Sequence, residues 1–242
     1  MTTNFIIAGI AASLLGISKG GLKGFGILIV AMIVVVYGAK NSTGILVPLF
    51  IIGDILAVIY FKKYVKVKYL IQFMPAMLIG VVVAVYVGED WNEVVFKKWI
   101  SGIIILSVAY MFWSEYKSIL IKSDNYLVSS IIGFAAGFTT MVGNLAGPFA
   151  TLFFLATRLP KNEIVGTSAW VFFIINIFKV PFHIFSWETI HKESLMIDLK
   201  LAPFVIVGFF LGTRLLGMFD ERAYRKFLLF VTAVGAVVVL FG

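Results

Sequence analysis

The sequence predicts an all-α polytopic membrane protein made of two inverted repeats, each a broken, re-entrant helical hairpin followed by three transmembrane helices. Three observations carry this expectation: a composition too poor in charge for a water-facing surface, long apolar runs along the whole chain, and spacings that recur in the second half. Of the 242 residues, 61% are hydrophobic and 13% charged, whereas a soluble domain carries about a quarter of its residues as Asp, Glu, Lys or Arg. At about 20 apolar residues per helical crossing there is material for roughly eight crossings and little for an extramembrane domain.

In chain order, the first element is an interrupted one. Asn4–Gly38 holds two apolar runs of about a dozen residues, joined by Ser18-Lys-Gly-Gly-Leu-Lys-Gly24. The opening run, Asn4–Gly16, lacks a basic n-region and a cleavage site, so it reads as a mature membrane segment. Continuous spans follow at about Thr43–Phe61, Tyr69–Gly88 and Phe96–Trp113. Tyr126–Thr157 is again interrupted, by Gly137-Phe-Thr-Thr-Met-Val-Gly-Asn-Leu-Ala-Gly-Pro148, and spans at Ile164–Phe182, Lys200–Gly217 and Ala223–Phe241 complete the chain. Runs as short as those in the interrupted elements suit half-helices or re-entrant hairpins. Strands are disfavoured, because the Val- and Ile-rich runs show no sustained period-2 alternation.

The two halves share spacings. Gly16 precedes Lys40 by 24 positions, as Gly137 precedes Lys161; Gly44 precedes Asp54 by ten, as Gly166 precedes Asn176. Pro75 to Gly80 corresponds to Pro203 to Gly208, and sixteen residues after each glycine begins an aromatic-basic-basic-aromatic quartet, Phe96-Lys-Lys-Trp99 or Tyr224-Arg-Lys-Phe227. The repeats cover about 1–115 and 124–242. A hairpin plus three spans crosses three times, and a fully crossing pair plus three spans crosses five times. Either count is odd, so the second repeat is inverted, an architecture that recurs in secondary transporters.

Basic residues set the orientation. Lys62, Lys63, Lys66, Lys68, Lys117, Lys122, Arg158, Lys161, Arg214, Arg222, Arg225 and Lys226 fall on one side. Lys40, Lys97, Lys98, Lys192 and Lys200 fall on the other, among Glu89, Asp90, Glu93, Glu188, Glu193 and Asp198. The more basic side is expected in the cytoplasm and both termini outside; Lys97 and Lys98 run against the trend. Trp91, Trp99, Trp113 and Trp187 stand near span ends, where an aromatic belt belongs. The net charge of +8 is then cytoplasmic anchoring and calls for no nucleic-acid partner.

Ionisable groups inside hydrocarbon are costly and suggest function. Lys19 and Lys23 lie in the first break, Asp54 and Lys179 deep in spans, and His183 at a span end. Glycines such as Gly20 and Gly21 let backbone N–H groups turn inward, and the following half-helix adds partial positive charge, which suits an oxyanion. The second break offers Thr139, Thr140, Gly143, Asn144 and Gly147 in matching positions. The competing account is that the glycines only permit close packing and the lysines are loop charges. Asp54 and Asn176 are repeat equivalents, and Lys179 stands at i+3 from Asn176 on the same helical face. Asp54 either carries a coupling proton or cation, or neutralises Lys19, Lys23 or Lys179, and one carboxylate among several amines favours pairing. His183 reads as an interfacial or packing residue in preference to a proton relay, and His191 carries no role.

No Cys and two His provide neither a thiolate nor a His-rich metal set, and no cofactor is expected. Hydrolysis requires a nucleophile with a base, or a metal-binding carboxylate cluster; Asp54 is the sole acid expected deep in the membrane, so an enzyme such as a lipid phosphatase is disfavoured. The expected partners are a small anion, the bilayer, a coupling proton and a second copy of the chain as a homodimer. A passive channel or facilitator is the alternative to a coupled carrier.

The run Gly16-Ile-Ser-Lys-Gly-Gly-Leu-Lys-Gly24, the stretch Gly44 to Asp54, Gly143-Asn-Leu-Ala-Gly-Pro148, and Leu159 to Thr167 followed by Asn176-Ile-Phe-Lys179 resemble the TauE/SafE sulfite-exporter family over nearly the whole chain. The resemblance implies a prokaryotic inner-membrane transporter of small, often sulfur-containing anions such as sulfite, sulfonates or sulfoacetate. Many members carry a denser Gly-Gly-Gly cluster and a proline after the first break. Here Ser18-Lys19 precede Gly20-Gly21, and Ala31-Met32 occupy the region of that proline; these departures bear on substrate more than on fold. On this reading an anion is held between the two breaks by backbone N–H groups, Lys19 or Lys23, and Asn144. Lys19→Ala then abolishes saturable flux and leaves folding intact.

Overall fold

The computed structural model describes residues 2–96, 98–99, 102–103, 126–157, 159–224, 226–228 and 230–231. The named helices are α1 (Thr2–Lys19), α2 (Gly26–Tyr37), α3 (Ala39–Phe61), α4 (Val67–Gly88), α5 (Tyr126–Gly143), α6 (Gly147–Ala156), α7 (Lys161–Phe185) and α8 (Lys192–Met218), with a 3₁₀ turn at Lys62–Tyr64. The described residues contain no strand. Apolar side chains all round a segment leave the backbone no water to bond, so each segment satisfies its own N–H and C=O groups as a helix. Pro48, Pro75, Pro181 and Pro203 sit inside helices, as membrane helices tolerate. α3, α4, α5, α7 and α8 are long and apolar enough to cross a membrane, while α1 and α2 are shorter apolar helices.

The expected spans at Thr43–Phe61, Tyr69–Gly88 and Ile164–Phe182 appear as α3, α4 and α7. α8 starts at Lys192, eight residues before the apolar run. Its first turns are polar, which hydropathy cannot register, and the His191 and Ser194 side chains form a capping box there. The spans expected at Phe96–Trp113 and Ala223–Phe241 fall mostly outside the described residues.

The second break is shorter than the glycine pattern predicts. α5 continues through Gly137, Thr139, Thr140 and Gly143, and only Asn144–Ala146 leave the helix. Gly137 does not turn the chain; it lets α5 pack so closely on α4 that an added Cβ would strike the Met77 carbonyl. A corresponding clash with the Val205 carbonyl of α8 awaits a Cβ at Gly16 of α1, while Gly80 faces the Phe134 carbonyl and Gly208 the Ser13 carbonyl. Small residues are the means by which membrane helices approach one another. We therefore expect Gly137→Ala to cost about 1–3 kcal/mol by overpacking, seen as a lower Tm in detergent. Gly217→Ala, with nothing within 4 Å of the new Cβ, should not lower it.

These contacts fix the direction of each named helix. α3 and α7 are antiparallel, since Gly166 meets Phe61, Asn176 meets Asp54 and Gly44 meets Thr189. α8 thus begins at the end of the bundle where α3 begins. α1 runs parallel to α8, with Gly9 at Phe204 and Gly20 at Phe209 and Gly212. α2 ends where α3 begins, one residue away, so the α1–α2 hairpin returns to its own side. α5 runs parallel to α4 from the opposite end, and Phe153 of α6 stacks back on Phe73 at 4.6 Å with Tyr69 at 6.2 Å. The α5–α6 hairpin therefore also returns to its own end of the bundle, the end opposite that of α1–α2.

Where each hairpin hands over to the next helix, a carboxylate closes the joint. Glu93 accepts from the Ala39 and Lys40 N–H groups, the latter at 2.9 Å, and Glu221 accepts from the Lys161 N–H at 2.7 Å. Each carboxylate satisfies orphan donors at the positive end of a helix dipole. Trp187 is buried: its indole N–H donates to the Val85 carbonyl at 3.3 Å and its ring packs edge-on against Phe96 and His183.

Candidate anion site

Between the two hairpin tips lies a partly open cavity. The first break contributes Ser18, Lys19, Lys23, Gly24 and Gly26, the second Thr140, Asn144, Ala146, Gly147 and Pro148, with Phe50, Ser168, Phe172 and Asn176 as walls. Both half-helices that leave the breaks, α2 and α6, point their N-termini at this space. Gly26 and Gly147 open them, and nothing lies within 4 Å of where a Cβ would stand at either, so bare backbone faces the cavity. Unpaired N–H groups and aligned dipoles make each N-terminus attractive to negative charge.

Local conformation explains the tips. The first tip turns on Gly21 and Gly24, with φ of +127° and +111°, a region closed to residues with a Cβ. The Tyr224 hydroxyl donates to the Gly21 carbonyl at 2.8 Å and holds the turn. The second tip turns on Asn144 at φ +57°, which Asn tolerates. Its amide donates to the Thr43 carbonyl at 3.1 Å and its Oδ1 accepts from Lys179 Nζ at 2.6 Å.

The charged side chains form two layers. Lys19 Nζ contacts Asp54 Oδ1 at 2.6 Å, and the Asn176 amide donates to Asp54 Oδ2 at 2.7 Å. Asp54 is fully buried behind them and does not line the cavity. Lys179, also fully buried, donates to the Thr140 carbonyl at 3.0 Å, to the Thr140 hydroxyl at 3.3 Å and to Asn144. It stands behind the cavity wall and props the second tip. Lys23 lines the cavity with Phe172 beneath its Nζ at 5.4 Å and has no carboxylate partner among the described residues. Three lysines against one carboxylate leave two formal positive charges around this space, and a bound anion would offset them.

Of the residues expected at the site, Lys19, Lys23, Thr140, Asn144, Gly147 and Asn176 line the cavity. Gly20, Gly21, Thr139 and Gly143 do not. Gly20 lies against the α8 backbone at Phe209 and Gly212, and Gly21 makes the turn. The Thr139 hydroxyl donates to the Ala135 carbonyl at 2.7 Å, and Gly143 is the buried last residue of α5. Phe50 and Phe172 carry no sequence signal in a chain with 24 Phe, yet their rings flank Lys19 Nζ at 4.7 and 4.9 Å, a cation–π cage that holds the amine in place. His183 is fully buried with its Nδ1 2.8 Å from the Thr189 hydroxyl and its Nε2 without a hydrogen-bond partner among the described residues. Among the described residues no three His, Cys, Asp or Glu side chains gather as a metal site.

No curated protein and no solved structure matches the chain. The family model described as Sulfite exporter TauE/SafE matches residues 5–239, essentially the whole length and including both hairpins and the cavity between them. The chain is therefore a multi-pass membrane protein that belongs to the TauE/SafE sulfite-exporter family of transporters.

Proposed function

We propose that the protein is a secondary transporter of small sulfur-containing oxyanions, of the sulfite and sulfonate class, that binds one anion between the two hairpin tips. The observation that carries this reading is the convergence on one cavity of two bare helix N-termini and Lys23, which has no carboxylate partner among the described residues. An oxyanion presents several acceptors, and N–H groups from two directions with one ammonium match them. Phe50 and Phe172 favour a small or partly apolar anion.

Transport then follows from two inverted repeats, about 1–115 and 124–242, that rock about the site. Support comes from the paired contacts: Gly16 at Val205 and Gly137 at Met77, Ser13 at Gly208 and Phe134 at Gly80, Glu93 at the start of α3 and Glu221 at the start of α7. Each pair joins an early element of one half to a late element of either half at the same internal spacing. The basic end of the bundle faces the cytoplasm of a prokaryotic cell, both termini lie outside, and a homodimer is the proposed assembly.

Purified protein in proteoliposomes should take up labelled sulfite or a sulfonate saturably and concentrate it when an ion gradient is imposed. Saturable entry that only equilibrates would assign a passive facilitator instead, and turnover of a lipid phosphate would assign an enzyme.

A further inference from the structure

Asp198 has no part in the anion site and is placed where a membrane helix would ordinarily carry Leu. It stands two turns into α8, on the inward stripe that continues through Leu201, Val205 and Gly208, and is 3% exposed. Neither carboxyl oxygen has a hydrogen-bond partner among the described residues. An unpaired carboxylate in such surroundings is costly, and Asp54, the other buried acid described, has both oxygens occupied.

The groups around Asp198 narrow what it could bind. The Tyr37 hydroxyl, in the last turn of α2, lies within its electrostatic reach. α1, packed along α8, has no charged residue before Lys19, and Lys19 is committed to Asp54. On α3, Lys40 lies over the Phe96 ring at 6.0 Å. On α8 itself Lys192, Glu193 and Lys200 are exposed, and His191 lies 3.9 Å from Glu193. No cluster of acids forms here among the described residues, so a metal cation would lack the oxygen shell it needs. A single proton removes the charge and supplies the missing donor.

We infer that Asp198 is the proton-loading site of this protein and that its protonation couples a proton gradient to movement of the α1–α2 hairpin. The position suits that role: Asp198 lies on the inward face of α8, and Tyr37, within its electrostatic reach, immediately precedes Gly38, whose φ of +86° makes it the joint between hairpin and α3. The same helix carries α1 on its close-packed face, so charge at Asp198 bears on the hairpin through α1. Gain or loss of one proton at the carboxyl is the whole chemical step. The inference rests on the transport reading for its coupling part but not for its proton site.

The test has two arms, both on the intact protein in lipid. The first follows the protonated-carboxyl stretch by infrared difference spectroscopy across a pH titration; a titrating band in the wild type that disappears in Asp198→Asn is expected, and an unchanged band in the variant overturns the assignment. The second uses methanesulfonate, whose charge does not change over the range. With one proton per anion, the wild type should concentrate it about tenfold for each unit of imposed pH gradient. Asp198→Asn should lose that accumulation while still exchanging internal for external methanesulfonate. Accumulation equal to wild type in the variant overturns the coupling role. A wild type that moves no methanesulfonate overturns the coupling inference together with the proposed substrate class, while the infrared arm still decides the proton site.

Discussion

Lys19→Met is expected to lower stability by about 3–5 kcal/mol, because it strands a buried carboxylate without its cation. Asp54 is fully buried, and among the described residues Lys19 supplies the one cation within hydrogen-bonding distance, at 2.6 Å. Removing both partners is a different matter, since the desolvation cost disappears with the charges. Lys19→Met combined with Asp54→Asn should therefore recover most of the loss, the new amide oxygen still accepting from Asn176. Thermal unfolding in detergent reads both variants. A double variant as unstable as the single one would show that the pair is not what Lys19 is for. This corrects the expectation that Lys19→Ala leaves folding intact: that substitution disturbs a structural ion pair as well as the cavity wall.

Lys23→Ala should fold as the wild type does and lose the anion. Its ammonium lies over Phe172 and has no acidic partner among the described residues, so its removal leaves no buried carboxylate behind. A hydrogen bond to a charged group is worth about 1.5–3 kcal/mol, which corresponds to roughly a 10–150-fold weaker apparent affinity for sulfite in a flux or calorimetric titration. Lys23→Arg should retain most of the affinity. Unchanged affinity in Lys23→Ala with an unchanged Tm would remove Lys23 from the site.

Much of this arrangement is readable in the chain itself, because bilayer thickness and backbone satisfaction leave few options. α3, α4 and α7 follow from length and apolarity, and the two breaks follow from short runs flanking Gly-rich segments. That Asp54 pairs with a lysine follows from counting three amines against one acid, but that the partner is Lys19 and not Lys23 or Lys179 does not. What was not legible depends on which way a helix face points. Gly137 and Gly143 resemble turn formers in one dimension, but Gly137 serves a contact with Met77 that belongs to another helix. Gly20 likewise packs on α8 in place of facing the ligand space. Lys179 reads as a cavity residue from its spacing to Asn176, yet its Nζ is drawn to the Thr140 carbonyl and Asn144 behind the wall. Trp187 looks interfacial by position and is buried because the α7–α8 connection folds inward over Val85 and His183.

The central claim is that one oxyanion sits between the two hairpin tips. Selenite has the shape and charge of sulfite, and its selenium scatters anomalously. A structure of the protein with selenite bound should place one anomalous peak between Lys23 and the Gly147 end of α6, within hydrogen-bonding reach of the Lys23 ammonium. A peak confined to the basic outer rim, or an empty cavity under conditions where selenite competes for sulfite flux, would contradict it.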